Sequence, residues 1–324
     1  MRMPCFAAFC AAAVYSLTGA PVSIRAQTPP MQIAVTLTPA VVVAGSPELI
    51  RVEAPGAAEV SGEWMGRKIE FFRGRAPGEW FALAGVDVEG AVGPSRLELE
   101  VVGVPMGSAA PGKARESAGG GAAPGTAQVG GAAENYARTV EIHAAHYRTG
   151  VLTVAPKFVQ PPAEAMKEIE DEIALKQEVF SQSAAEPLWS GDFRAPVKAA
   201  PTDSFGTRRI FNGKLASVHK GMDFRASVGT PVHADNGGVV VLARKMYYEG
   251  NCVAIDHGLG LYTISMHLSR IDVREGERVT KGQLIGLSGA TGRVTGPHLH
   301  WAVRWENAYL DPAKLLRMDL SGVR

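Results

Sequence analysis

The residues best suited to chemistry in this 324-residue chain are five: His298 and His300 in His298-Leu299-His300, His219 and Asp223 in His219-Lys220-Gly221-Met222-Asp223, and His267 between them. Over 295–303 a two-residue period places Leu299, Trp301 and Val303 on one face and His298 with His300 on the other. The same period over 261–268 buries Tyr262, Ile264, Met266 and Leu268 and turns His267 to the side of Thr263 and Ser265. His219 and Asp223 share a face if their segment is extended. Groups so placed are expected to meet over a sheet, around a metal ion.

Zinc suits the set, because it takes neutral imidazole and carboxylate ligands and a catalytic site keeps a fourth position for water. Two nitrogens and one oxygen also lie within the range of other divalent ions. The chain has no His-Glu-x-x-His segment, which excludes the helical metalloprotease motif. A general base must then come from elsewhere, and a histidine that does not bind the metal is the natural source.

His-x-x-x-Asp, a later His-Leu and a final His-Leu-His resemble the M23 peptidases, the LytM and lysostaphin type of peptidoglycan endopeptidase. The flanking text is similar as well: 218–224, Gly229-Thr230-Pro231-Val232, 255–260 and 289–297, with Ser204-Phe205-Gly206-Thr207-Arg208-Arg209 resembling the family's opening strand and loop. The resemblance covers about the C-terminal two-fifths of the chain. It implies that His219, Asp223 and His300 bind one Zn2+ per chain, and that His267 and His298 are catalytic. One or both would deprotonate the metal-bound water or stabilise the tetrahedral intermediate as the peptide cross-links of peptidoglycan are hydrolysed. Lysostaphin-like members carry a tyrosine shortly before the first metal histidine. Here Phe211-Asn212-Gly213-Lys214 stands in that region, so a tyrosine oxyanion role has no support there. Two rivals come from other classes: a non-hydrolytic regulator that binds wall or activates an amidase, and a peptidase acting on Gly-rich proteins.

The other histidines read as ordinary. His143, His146 and His233 are expected to be core or surface residues, and His257 a structural anchor in a turn. Cys252, in the apolar run Cys252-Val253-Ala254-Ile255, reads as packing. The stretch 273–286 resembles one half of a biotinyl carrier hairpin but has no displayed Met-Lys-Met or Asp-Lys-Ala. It reads as short strands joined by turns.

Short strands must position these groups, and the fold class expected is mainly β. Residues 1–26 read as a secretory signal cut after Ala26, with an uncleaved anchor as the alternative, which places the protein in the periplasm or outside the cell. Residues 27–157 read as an immunoglobulin-like β-sandwich, with strands at 32–37, 48–52, 58–64, 67–72, 80–84, 95–102, 138–144 and 151–154. A disordered Gly/Ala-rich insertion is expected at about 106–133. Residues 158–187 hold a connecting helix from Pro161 to about Ser183, with Met166, Ile169, Ile173 and Phe180 as an apolar stripe that packs on a neighbouring domain. The antiparallel-β M23 peptidase domain follows over 188–324. Residues 27–186 carry 13 Lys+Arg and 20 Asp+Glu, a net −7, and residues 187–324 carry 18 and 12, a net +6. A basic catalytic half suits an anionic polymer such as peptidoglycan. The charges are scattered without interleaved aromatics, which argues against nucleic acid as a partner. The N-terminal β domain is left to position the enzyme, shield the cleft or meet an envelope protein partner.

Overall fold

Alternating burial builds the N-terminal sheets. In the strand Gly93–Gly103, Leu97, Leu99 and Val101 are buried while Glu98 and Glu100 face solvent, the pattern of a sheet covered on one face. The structure is a computed structural model that describes residues 31–104 and 133–323. One four-stranded antiparallel sheet runs in the order Ala34–Thr38, Pro47–Glu53, Glu79–Gly85, Phe72–Arg73. A five-stranded sheet runs Val42–Val43, Ala133–His143, Gly93–Gly103, Ala57–Trp64, Arg67–Glu70. The signal expected at 1–26 lies outside the described residues, as does the insertion expected at 106–133 up to 132. Ala133 already opens a strand that pairs along Gly93–Gly103, so the intervening stretch joins two hydrogen-bonded neighbours.

The C-terminal part is built on an antiparallel sheet ordered Pro201–Asp203, Met222–Phe224, Leu299–Trp305, Leu261–Leu268, Gly250–Asp256, Gly238–Met246, Arg278–Val279. A three-stranded sheet stands beside it: the hairpin Arg208–Phe211 and Leu215–Val218, with Thr149–Leu152 added parallel to Arg208–Phe211. One buried apolar cluster extends from Ile50 and Trp64 through Trp189 to Trp301 and Leu310. Polar contacts cross the same boundary, since the Tyr309 amide donates to Asp87 Oδ2 at 2.7 Å and the Asp311 amide to the Gly45 carbonyl at 2.7 Å.

The helix spans Ala163–Val179 and follows Pro162, whose extended backbone starts it without a side-chain cap. Its buried face differs from the expected stripe. Ile169 and Phe180 are buried, but Met166 and Ile173 are 42% and 47% exposed. The helix is instead turned so that Glu172 accepts from the Tyr247 amide and Lys176 meets Glu249 at 2.5 Å. Polar anchors to the 247–249 turn outweigh two exposed apolar side chains.

Candidate metal centre

Asp223 and His300 are direct partners across the antiparallel pair Met222–Phe224 and Leu299–Trp305, which brings both side chains to one face. His219 lies in the turn before the first of these strands rather than on an extended run. It still reaches them: Nε2 is 3.1 Å from Asp223 Oδ1 and 3.0 Å from His300 Nδ1, and His300 Nδ1 is 2.8 Å from Asp223 Oδ1. Gly221 makes the room. A Cβ there would lie 2.5 Å from His300 Nε2 and 2.6 Å from the Trp301 carbonyl.

His267 reaches the same place by breaking the expected alternation. Met266 pairs with His300 and Ser265 with Trp301, so a regular strand would send His267 to the Trp301 side, away from His300. The register against Gly250–Asp256 slips here, with Ser265 opposite Val253 and Leu268 opposite Asn251. The extra residue is a bulge, and His267 takes φ +64° within it. Its ring is thereby re-aimed, 4.9 Å from the His298 ring and 5.9 Å from that of His300. Met266, expected to be buried, becomes part of the cleft wall for the same reason.

The outer nitrogens fix the imidazoles. Nδ1 of His219, His267 and His298 faces the carbonyls of Ser204 (2.9 Å), Thr291 (2.9 Å) and Gly296 (2.8 Å). Each Nδ1–H donates to its carbonyl, which leaves the Nε2 lone pair as the inward group. His298 Nε2 is 3.7 Å from Asp223 Oδ1. Burial lowers the His267 pKa to about 3, helped by the neighbouring His300 and His298. Burial likewise lowers His300 to about 4, against the pull of Asp223. For Asp223 burial acts upward, but its contacts with the His219 and His300 rings hold it far below the usual carboxylate range. Burial thus favours the neutral rings of His267 and His300 beside an ionised Asp223.

Two imidazole nitrogens and a carboxylate oxygen converging from His219, Asp223 and His300 form the metal-ligand cluster found among the described residues. A shared proton could satisfy one pair of them, whereas a divalent cation satisfies all three. Their separations of 2.8–3.1 Å are within a few tenths of an ångström of the roughly 3.3 Å that ligands about 2.0–2.1 Å from a tetrahedral zinc keep from one another. The donors fit one zinc ion per chain. Arg209, unremarked as a site residue in the sequence, holds the other Asp223 oxygen, with Nη2 2.5 Å from Oδ2 and 2.6 Å from Asp203 Oδ2. The cluster opens into a cleft of about 930 Å³.

His257 is separate from it, fully buried with Nδ1 on the Gly237 carbonyl and Nε2 on Thr263 Oγ1, the structural anchor expected. His143 and His146 are exposed and His233 half-buried. Cys252 is buried against Phe180 and Leu242, and burial pushes its thiol pKa up.

Residues 217–312, which carry all five groups, match peptidase family M23. The chain contains an M23 peptidase domain. Across 101 residues it is 48% identical to the peptidoglycan DD-endopeptidase ShyA of Vibrio cholerae serotype O1, covering 31% of this chain and 24% of that one. It is 40% identical over 98 residues to the DD-carboxypeptidase/endopeptidase Mpg of Neisseria meningitidis serogroup B, covering 30% and 23%. The chain thus spans about a quarter of the length of these curated relatives. A crystal structure from Pseudomonas aeruginosa assigned to peptidase M23 superposes with a TM-score of 0.59 at 26% identity, over 85% of this chain and 94% of that one. The likeness in fold therefore reaches well beyond the M23 domain.

Proposed function

We propose that the protein is a zinc-dependent endopeptidase that hydrolyses peptide cross-links of peptidoglycan. The observation that carries this reading is the His219-Asp223-His300 cluster with two further imidazoles, His267 and His298, turned toward it. The relatives' names support the wall as substrate. When bound, zinc supplies a Lewis acid that polarises a carbonyl and lowers the pKa of a coordinated water to about 7. Arg209 holds Oδ2 of Asp223 and so leaves Oδ1 to the two histidines. His298, on the rim of the cleft, takes the proton of the attacking water and returns it to the leaving amine. His267, kept neutral by burial, accepts a hydrogen bond at Nε2 that orients the water. The target is the D-alanyl–diaminopimelate bridge, and the reading includes export to the periplasm.

The test is mass spectrometry of sacculi digested by the full-length protein, with and without a chelator that zinc reverses. Chelator-sensitive conversion of cross-linked dimers to monomers is expected. His219→Ala, Asp223→Ala and His300→Ala should lose zinc, while His298→Ala should keep it and turn over about 10²–10⁴-fold more slowly. Loss of zinc from His298→Ala would refute this division of roles. An amidase activator would instead tolerate both His267→Ala and His298→Ala, so the intact set favours the hydrolase.

A further inference from the structure

Four cationic side chains line the cleft: Arg148, Arg209, Lys220 and Arg293. Three have carboxylates. Arg148 is 3.8 Å from Asp203, Arg209 bridges Asp203 and Asp223, and Lys220 is 3.0 Å from Glu89. Arg293 has no carboxylate or carbonyl partner for its guanidinium among the described residues. It is clamped between two rings, with Cζ 4.9 Å from the Phe211 centroid and 4.8 Å from that of Tyr248. Stacking engages the face of a guanidinium and leaves the N–H donors at its edge free for a ligand in the cleft that Arg293 lines. Burial lowers its pKa from the ordinary arginine value, yet an arginine stays charged. Glu249, across the cleft wall, acts on it only at a distance. A half-buried cation with no carboxylate in contact is unfavourable, and a ligand that brings one relieves it.

The backbone ties this group to the reaction centre. The Arg293 amide donates to the Tyr248 carbonyl at 2.8 Å, and Thr291, two residues earlier, accepts from His267 Nδ1. Thr291 Oγ1 also accepts from the Asn251 amide at 2.9 Å. One short, pinned loop therefore orients a catalytic imidazole and displays a free guanidinium. A group held by Arg293 is thus held by the loop that orients that imidazole.

Resting on the endopeptidase reading above, we propose that Arg293 binds the free carboxylate on the carbon that bears the leaving amine, and so selects diaminopimelate bridges over lysine bridges. Diaminopimelate differs from lysine by that carboxylate alone, and a planar guanidinium matches it with two parallel hydrogen bonds.

The experiment gives zinc-loaded full-length protein two cross-linked muropeptide dimers that differ only in diaminopimelate or lysine at the bridge. kcat/KM should favour the diaminopimelate dimer by about 10–100-fold, the effect of a charged bidentate contact. Arg293→Gln, which keeps most of the stem between the rings, should bring that ratio near unity, and Arg293→Lys should restore part of it. A wild-type ratio near one, or a ratio unchanged in Arg293→Gln, overturns the proposal. Calorimetric titration of both dimers into His298→Ala protein reads the same preference without turnover. If no zinc-loaded form cleaves either dimer, the endopeptidase reading fails, and the calorimetric ratio in His298→Ala, with and without Arg293→Gln, still decides the role of Arg293.

Discussion

Gly221 is the residue on which the centre is most finely balanced. The Gly221→Ala methyl would meet both the His300 ring and the Trp301 backbone, and the backbone cannot yield. We expect this variant to fold, as read by circular dichroism, yet to bind well under one zinc per chain by atomic emission. The depressed histidines set a second expectation. His267 and His300, with pKa lowered to about 3 and about 4, remain neutral in the fold while the unfolded chain protonates near 6.5. The unfolded state thus binds more protons in that window, and stability falls with pH. Metal-free protein should lose stability steadily from about pH 6.5 to about 4 in thermal melts, and zinc should oppose the loss at the upper end of that range. The shared face of His298 and His300 was legible in the sequence, because polar groups interrupting a two-residue alternation declare themselves, and the spacing of His219 and Asp223 marked them as partners. What alternation could not show was how His267 joins His300. A left-handed histidine in a bulge leaves no glycine as its mark, and the plain period points the ring to the wrong side. Arg209 and Gly221 were in view but silent, since their effect is a contact with a residue distant in sequence.

Among the elements, most strands were readable to within a few residues, as apolar alternation between turn residues is a local signal. The one expected at 151–154 as part of the N-terminal sandwich instead pairs with Arg208–Phe211, because alternation names no partner. The helix was readable in extent but not in facing. Met166 and Ile173 suggested an apolar stripe, and the structure turns Glu172 and Lys176 inward because the 247–249 turn offers an amide and a carboxylate. That contact is short of the centre by one hydrogen bond: the His267 amide donates to the Glu249 carbonyl at 2.9 Å. Glu249 Oε2 is buried without a partner among the described residues, so its pairing with Lys176 through Oε1 carries the charge. Lys176→Met should cost about 1–3 kcal/mol in urea unfolding, since a mostly buried carboxylate is left unpaired. Activity should fall together with stability, and the double variant Lys176→Met/Glu249→Gln should recover part of both.

For the whole molecule, the join between its N-terminal sheets and C-terminal end holds a buried acid. Glu48 is fully buried, accepts from Ser46 Oγ at 2.5 Å and has no partner at Oε2 among the described residues. Burial raises its pKa to about 8. The folded state therefore holds a proton that the unfolded chain releases near 4.5, and this contribution is lost as pH rises from about 4.5 through 8. Thermal melts of wild type and Glu48→Gln should agree best near pH 5 and diverge toward pH 8, with the glutamine form the more stable. Finally, Thr149–Leu152 completes the lip of the cleft by pairing with Arg208–Phe211, a partner about sixty residues later in the chain. Amputating everything before residue 187 would keep every group in the M23 match and strip one rail from that lip. The bared rail would offer its unpaired amides and carbonyls to any extended chain, another copy included. A trimmed protein of this kind is expected to scatter light at concentrations where the intact chain stays clear, each copy lending its neighbours a strand for the bared rail.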